Sequence, residues 1–419
     1  MTRAELLHNK DAILKVLPQY AVKVRRLEKL ADKKALPVIT VLGKYNHGKS
    51  RLLNELIGDD LFAVADKRET KALHQVDHQS VRWVDAPGLD ADVDEVDDRH
   101  AAEALWVESD IRLLVHAAKE GELDAAEIDL VNVLLCDEQQ TQRQTIVVLT
   151  QSDQVADEES LSKILATLAE QLGKKDIYPV SSVRHRRGIE QQIPLFVERS
   201  GIPVLEAHIE NTLTQVNAAR AFEQNSYLSE LDRELRAKHQ QHEEQHAKLR
   251  LAATEVEANF MQDLGAALAQ GADDLHDIMQ EPEVDHSLDP GSIDDVFKMS
   301  AGKLDRSRIQ IAYSRACLLI RSVLTKYGML NLNDDQKVGA ASLNTVMVAV
   351  MGVSVKYRAQ LRSLFAETAG RERLLRDFKH YFDKSANRLK TLAEIQREAE
   401  QIAQVETAQT VLAQWQQKA

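Results

Sequence analysis

Residues 38–56 read VITVLGKYNHGKSRLLNEL: a β-branched and aliphatic run, then Gly43-Lys44-Tyr45-Asn46-His47-Gly48-Lys49-Ser50, then Arg51-Leu52-Leu53-Asn54-Glu55-Leu56 with apolar residues at helical spacing. Strand, glycine-bearing loop and helix, in that order, form the arrangement that wraps a phosphate. The glycines let backbone N–H groups turn inward, and the helix N-terminus adds positive potential. Lys49 can reach phosphate oxygens, and the Ser50 hydroxyl can ligate Mg²⁺. The loop alone occurs by chance and serves ATP as well as GTP, so its surroundings must decide.

The surroundings supply the rest in order. A second apolar run, residues 80–84, ends in Asp85-Ala86-Pro87-Gly88, where Asp85 can hold Mg²⁺ through water and the Gly88 N–H can meet a γ-phosphate. Residues 145–149 end in Thr150-Gln151-Ser152-Asp153. The Asp153 carboxylate can accept from N1–H and the 2-amino group of guanine and would repel the acceptor N1 of adenine. Ser181-Ser182-Val183, after a run at 177–180, offers a backbone N–H to the guanine 6-oxo group. Thr70, in Arg68-Glu69-Thr70-Lys71, is the threonine placed to join Ser50 and Asp85 around Mg²⁺. GTP or GDP is therefore the expected ligand. Residues 43–51, 150, 151, 153 and 181–183 form the expected binding set, and Asn46, Lys49, Ser50, Thr70, Asp85 and Gly88 the expected catalytic set.

Runs at 38–42, 80–84, 111–115, 145–149 and 177–180 alternate with helical stretches. That alternation predicts an α/β domain with a mostly parallel sheet and helices on both faces. Beyond residue 203 the β signal fades, and the pattern predicts an extended all-α part.

Over roughly residues 37–200 these motifs resemble the translation-factor-related P-loop GTPases, the dynamin-like branch first and the Era-like branch second. The resemblance implies a GTPase whose G domains pair, as a homo-oligomer or with a related subunit, and whose helical stalk acts on a membrane or assembly. Two departures matter. Gln151 stands where the family usually has Lys, and Leu89 where Ras-like members keep a water-orienting Gln. Asn46, fourth in the loop, matches the position at which family members help hold a monovalent cation, so K⁺-assisted hydrolysis is expected. The water would be placed by the Thr70 segment and an acid among Asp90, Asp92 and Asp94. An Era-like RNA or ribosome switch, and a nucleotide-binding subunit with poor hydrolysis, are the rival readings.

The 419 residues divide as an N-terminal helix (1–35) kinked at Pro18, a G domain (36–203), a long heptad-like helix (204–280), an acidic hinge (281–292) and a second helical set (293–419), interrupted at 328–335 and at Gly370. The two cysteines, Cys136 and Cys317, have no metal or redox spacing. Charged residues interrupt the first 17 positions, so no secretory leader is expected. A cytoplasmic protein, or one peripheral at the inner face of the membrane, follows.

The net charge of −13 disfavours nucleic acid as a partner, but 298–390 holds 18 Lys and Arg against 7 Asp and Glu. Within it, 338–355 carries no charge, and basic residues follow to 362. This apolar stretch reads as a buried helix, a tip for an anionic membrane, or a partner interface. The aromatics there, Tyr313, Tyr327, Tyr357, Phe365, Phe378, Tyr381 and Phe382, are spaced as core rather than as an RNA surface. His239, His242 and His246 share a helix face at a metal-compatible spacing, though Glu243 and Gln245 beside them favour a solvated face. The last helix suits return packing on the stalk or on a second chain.

Overall fold

The computed structural model describes residues 3–62, 74–86, 102–173, 176–280, 282–290, 299–329 and 355–417. The chain forms two compact units, 1–237 with 404–419, and 238–403.

The first unit is built on a six-stranded sheet of order β2-β3-β1-β4-β5-β6. Its strands are β1 (Val38–Leu42), β2 (His74–His78), β3 (Val81–Asp85), β4 (Ile111–Ala117), β5 (Gln144–Thr150) and β6 (Ile177–Pro179). All pairings are parallel except β2 with β3. Side chains alternate across the sheet, so each strand feeds two cores. Ile39, Val41, Leu113, Val115 and Val148 pack on one face with Leu52 and Leu53 of α3 (Lys49–Ile57). Leu42, Leu114, Val147 and Leu149 pack on the other with Val131 and Leu134 of α4 (Ala125–Thr141) and Leu168 of α5 (Glu158–Gln171). Strands covered on both faces read as continuous apolar runs, which is why four of them are plain in the sequence.

The sequence runs omit one strand. β2 carries one aliphatic residue, Val76, on an edge that bonds to β3 alone, so it gives no apolar run. The segment 181–183 follows β6 and starts a helix: Ser181 caps α6 (Ser182–Glu190), and Ser182 and Val183 are its first residues.

Pro18 opens a 3₁₀ turn, Pro18–Tyr20, between α1 (Arg3–Val16) and α2 (Ala21–Leu30). The fixed φ of proline and its missing N–H suit a turn start and end the helix before it. A short α7 (Pro194–Glu198) leads into α8 (Ile202–Asp274). Ile13, Leu17, Val24 and Leu27 pack against Tyr227, Leu228, Leu231 and Leu235 of α8, together with Val405, Val411, Leu412 and Trp415 near the end of the chain. The last helix therefore returns to the first two.

A buried ion network joins this bundle to the sheet. Arg26, 2% exposed, donates to Asp110 at 2.8 Å, to Glu223 at 2.9 Å and to the Val107 carbonyl at 3.0 Å. Asp110 also accepts the Val38 N–H at 2.9 Å, at the start of β1, and a bond from Arg220. Burial works against the Arg26 charge, but Glu223 and Asp110 outweigh it and hold the guanidinium firmly protonated.

The second unit takes the rest of α8 with α9 (His276–Met279), α10 (Ala301–Lys326), α11 (Arg358–Leu361), α12 (Thr368–Asp383) and most of α13 (Ala386–Gln416). Its core holds Phe260, Leu264, Tyr313, Ile320, Phe365, Phe378 and Phe382, with Phe260 and Phe382 stacked at 4.5 Å. Among the expected core aromatics, Tyr357 departs, being 39% exposed. Val355, the last residue of the uncharged stretch, is buried in this core, and 338–354 lies outside the described residues.

The interruption expected at Gly370 falls three residues earlier, at the extended Glu367. Gly370 sits in the first turn of α12, where a Cβ would lie 1.8 Å from the Ser363 carbonyl oxygen, so glycine is required by close backbone approach. The acidic segment is not merely solvated. Arg306 donates to the Ser287 and Asp289 carbonyls at 3.0 and 2.9 Å, and Arg358 bonds Asp285 and Asp305. Part of the basic island is thus spent on the acidic loop beside it. His242 pairs with Glu398 at 2.8 Å and His239 with Glu243 at 3.4 Å, a carboxylate-paired face rather than a metal site.

Candidate functional site

The phosphate loop runs from the end of β1 into α3, and its backbone requires its glycines. Gly43 has φ +149°, and a Cβ there would lie 2.2 Å from the Val115 carbonyl oxygen of β4. Gly48, at φ +85°, begins the helix in the left-handed region. Lys49 Nζ donates to the Gly43 and Lys44 carbonyls at 2.8 and 2.9 Å, which places its ammonium across the mouth of the loop. Tyr45 is half-buried, His47 is buried, and Asn46 and Arg51 are exposed. Arg51 lines a cleft of about 470 Å³ with Asn54, Ser182, Val183 and Arg187.

Ser50 Oγ donates to Asp85 Oδ2 at 2.6 Å. Asp85 is 6% exposed, and its Oδ1 has no hydrogen-bond partner among the described residues. Burial pushes the carboxyl above its ordinary range, partly offset by Ser50 and by the Lys49 charge. A buried carboxylate oxygen without a donor, beside a serine hydroxyl, is a hard-oxygen donor pair that fits Mg²⁺. Thr70 and Gly88, and with them Leu89, Asp90, Asp92 and Asp94, lie outside the described residues.

Of the segments expected to read the base, the first meets the same loop. Thr150 Oγ1 donates to the His47 carbonyl at 2.5 Å, and Gln151 Nε2 donates to the Asn46 carbonyl at 2.8 Å. Ser181 Oγ donates to Asp153 Oδ1 at 2.6 Å while accepting the Arg184 N–H at 3.0 Å, so the α6 cap also orients the carboxylate. The Ser181 N–H is taken by the Ser200 carbonyl at 2.8 Å. The N–H groups of Ser182 and Val183, in the first turn of α6, have no intrahelical acceptor and are the donors left for an oxo group.

Sequence reasoning missed the bracing beside the loop. Lys44 pairs with Asp124, which caps α4, and lies 3.3 Å from Glu127, whose other oxygen meets His116 Nδ1 at 3.0 Å. The capping box Asp124-Ala125-Ala126-Glu127 was the available signal.

A P-loop whose Ser50 meets a buried aspartate, braced by Gln151 at the end of a parallel strand, is the arrangement of a G domain. Residues 38–151 match the family described as 50S ribosome-binding GTPase, and the chain is a GTPase of this G-domain type. The uncharacterized protein ACIAD1443 of Acinetobacter baylyi is 46% identical over 408 residues, 96% of each chain. The chain belongs to one family with that protein. GTPase Era of Ureaplasma parvum is 21% identical over 153 residues, 35% of this chain, and the match spans 50% of Era's length. A solved bacterial dynamin pair, described as oligomerised and as a mechanism for long-range sensing and tethering of membranes, is 16% identical. It covers 98% of this chain and 80% of its own, with a TM-score of 0.39.

Proposed function

We propose that this chain is a dynamin-like GTPase, which hydrolyses GTP at the loop 43–50 and uses the cycle to drive a helical part that acts on an anionic membrane. The observation that carries the reading is the convergence of Lys49, Ser50, Asp85 and Gln151 on one loop, with Asp153 held by Ser181 two residues further on, in a unit whose sheet is tied by Arg26, Asp110 and Glu223 to its helices. Lys49 leaves the loop carbonyls for the phosphate oxygens when nucleotide enters. Asp153 accepts from guanine, and the Ser182 or Val183 N–H donates to its 6-oxo group. Ser50 and Asp85, with Thr70, would hold Mg²⁺, which would supply charge neutralisation on the phosphates. Asn46 is exposed and gives its backbone oxygen to Gln151, so its side chain would be the group to help hold K⁺.

The outer face of α10 supports the membrane part. Leu304, Ile311 and Leu318, seven residues apart, are 44%, 57% and 60% exposed, and Arg308, Arg315 and Arg321 are exposed beside them. Each such arginine adds about 1 kcal/mol of attraction to an anionic surface. Among the described residues no helix is long and apolar enough to cross a membrane, so contact would be peripheral. Co-sedimentation with anionic liposomes, lost on changing Ile311 and Leu318 to Ser, tests this. RNase-sensitive association with ribosomes instead would favour an Era-like switch.

A further inference from the structure

His116 and Glu127 have no part in the reading above and the His47 side chain none either, its backbone alone belonging to the loop, yet the three form the group of three potential metal ligands among the described residues. Their ligand atoms all lie within 4.8 Å of one another, and all three residues are buried. They come from three elements: the phosphate loop, the end of β4 and the first turn of α4. His116 Nδ1 lies 3.0 Å and His47 Nδ1 3.9 Å from the same oxygen, Glu127 Oε1, and His47 Nδ1 also lies 3.4 Å from the Val115 carbonyl oxygen, a contact that a metal would replace as the ring proton moves to Nε2.

The atoms facing away are anchored. His116 Nε2 lies 3.3 Å from the Gly121 carbonyl oxygen, and Glu127 Oε2 accepts the Asp124 N–H at 3.1 Å. A histidine that gives its far nitrogen to a carbonyl, and a carboxylate whose second oxygen is held by the backbone, are the outer supports that metal ligands carry. Lys44, 3.3 Å from Glu127 and paired with Asp124, opposes a cation, but the two carboxylates leave this patch one negative charge in excess of the lysine.

We propose that His47, His116 and Glu127 bind one borderline divalent cation of the zinc class, separate from the Mg²⁺ position at Ser50 and Asp85. Ligand distances of about 2.0–2.2 Å in a tetrahedral site put neighbouring donor atoms roughly 3.4 Å apart. The 3.0 Å gap opens and the 3.9 Å gap closes by about half an ångström each, and the two histidine nitrogens, within 4.8 Å of one another, must close to the same separation by side-chain rotation. With His116 Nε2–H donating to the Gly121 carbonyl, the proton between His116 Nδ1 and Glu127 Oε1 has no other place on the ring, so loading exchanges it for the metal and releases it to solvent. A water supplies the fourth ligand. Loading would tie the loop residue His47 to β4 and α4 and so stiffen the phosphate loop.

The test is calorimetric titration of the full chain with Zn²⁺ in excess Mg²⁺ and GDP, in two buffers of different ionisation enthalpy to count protons, with Co²⁺ absorbance as a second probe. One equivalent should bind, with tetrahedral Co²⁺ bands. Glu127→Gln, which keeps the helix-capping geometry, and His47→Gln should each weaken binding by about tenfold or more. The loop variant His47→Gln decides the matter if Glu127→Gln does not fold. His242→Ala should leave the affinity unchanged. Absence of a one-to-one event, binding that survives both substitutions, or binding lost in His242→Ala would each overturn the site.

Discussion

Gln151 Nε2 donates to the backbone oxygen of Asn46 across 2.8 Å, so the residue following Thr150 holds the phosphate loop from outside. The family's lysine would place an ammonium here, and the neutral amide reaches the same loop without the charge. Removing one such bond costs about 1 kcal/mol, or roughly fivefold in affinity. Gln151→Ala is expected to weaken GTP and GDP binding equally by that factor, whereas Gln151→Lys retains it. Equilibrium titration with a fluorescent guanine nucleotide measures both, and wild-type affinity in Gln151→Ala would remove the bracing role.

Asp153, oriented by Ser181, is the group assigned to read the base. Asp153→Asn replaces an acceptor with a donor against N1–H and the 2-amino group, and GTP affinity should fall on the order of 100-fold. Xanthosine triphosphate, which carries an oxo group at the 2-position, should bind the variant better than GTP does. Ser181→Ala frees the carboxylate without removing it, so its loss should stay near fivefold. Competition binding separates the three.

Asp85 is a buried carboxylate with one oxygen unpaired among the described residues and its carboxyl pushed up by burial. Asp85→Asn removes that charge and keeps an acceptor for Ser50. The nucleotide-free protein should gain roughly 1 kcal/mol of stability at neutral pH, while Mg²⁺-dependent GTP turnover is lost. Chemical denaturation without Mg²⁺ and a turnover assay read the two effects, and a destabilised apo variant would contradict the stated cost of Asp85.

Arg26 is the hub of the buried network, and removing one partner of such a set strands the others. Arg26→Ala should cost about 3–5 kcal/mol. Burial opposes the ionised form of Asp110, but Arg220 and Arg26 outweigh it and hold its carboxyl below the ordinary range. A depressed carboxyl stabilises the fold above the unfolded value of about 3.9, and the contribution is lost as pH falls through the lower folded value. Asp110→Asn should therefore be less stable than the parent at pH 7, and the gap should close below about pH 4. Denaturant midpoints across that range measure it.

The phosphate loop, Asp85 and the segments 150–153 and 181–183 are legible in the sequence because each carries its chemistry in a few adjacent residues. The strands of the sheet interior are legible because burial on both faces makes them apolar throughout. The edge strand His74–His78 lacks that signature, and Gly370 reads as the break when the break lies at Glu367 and the glycine serves close backbone approach. Arg26 is the harder case. A charge in an amphipathic helix reads as solvent-facing, and its partners Asp110 and Glu223 lie 84 and 197 positions away. The anchoring of the acidic loop by Arg306 and Arg358 is hidden for the same reason, since only the fold brings the two runs together.

The central claim is tested most directly by GTP turnover of the full chain in matched K⁺ and Na⁺ buffers, with and without anionic liposomes, with Lys49→Ala as the blank. The account predicts turnover that the blank lacks, that is faster in K⁺, and that rises when liposomes are added. Turnover equal in the two cations would remove the role of Asn46, and GTP binding without turnover under every condition would contradict the dynamin-like mechanism itself.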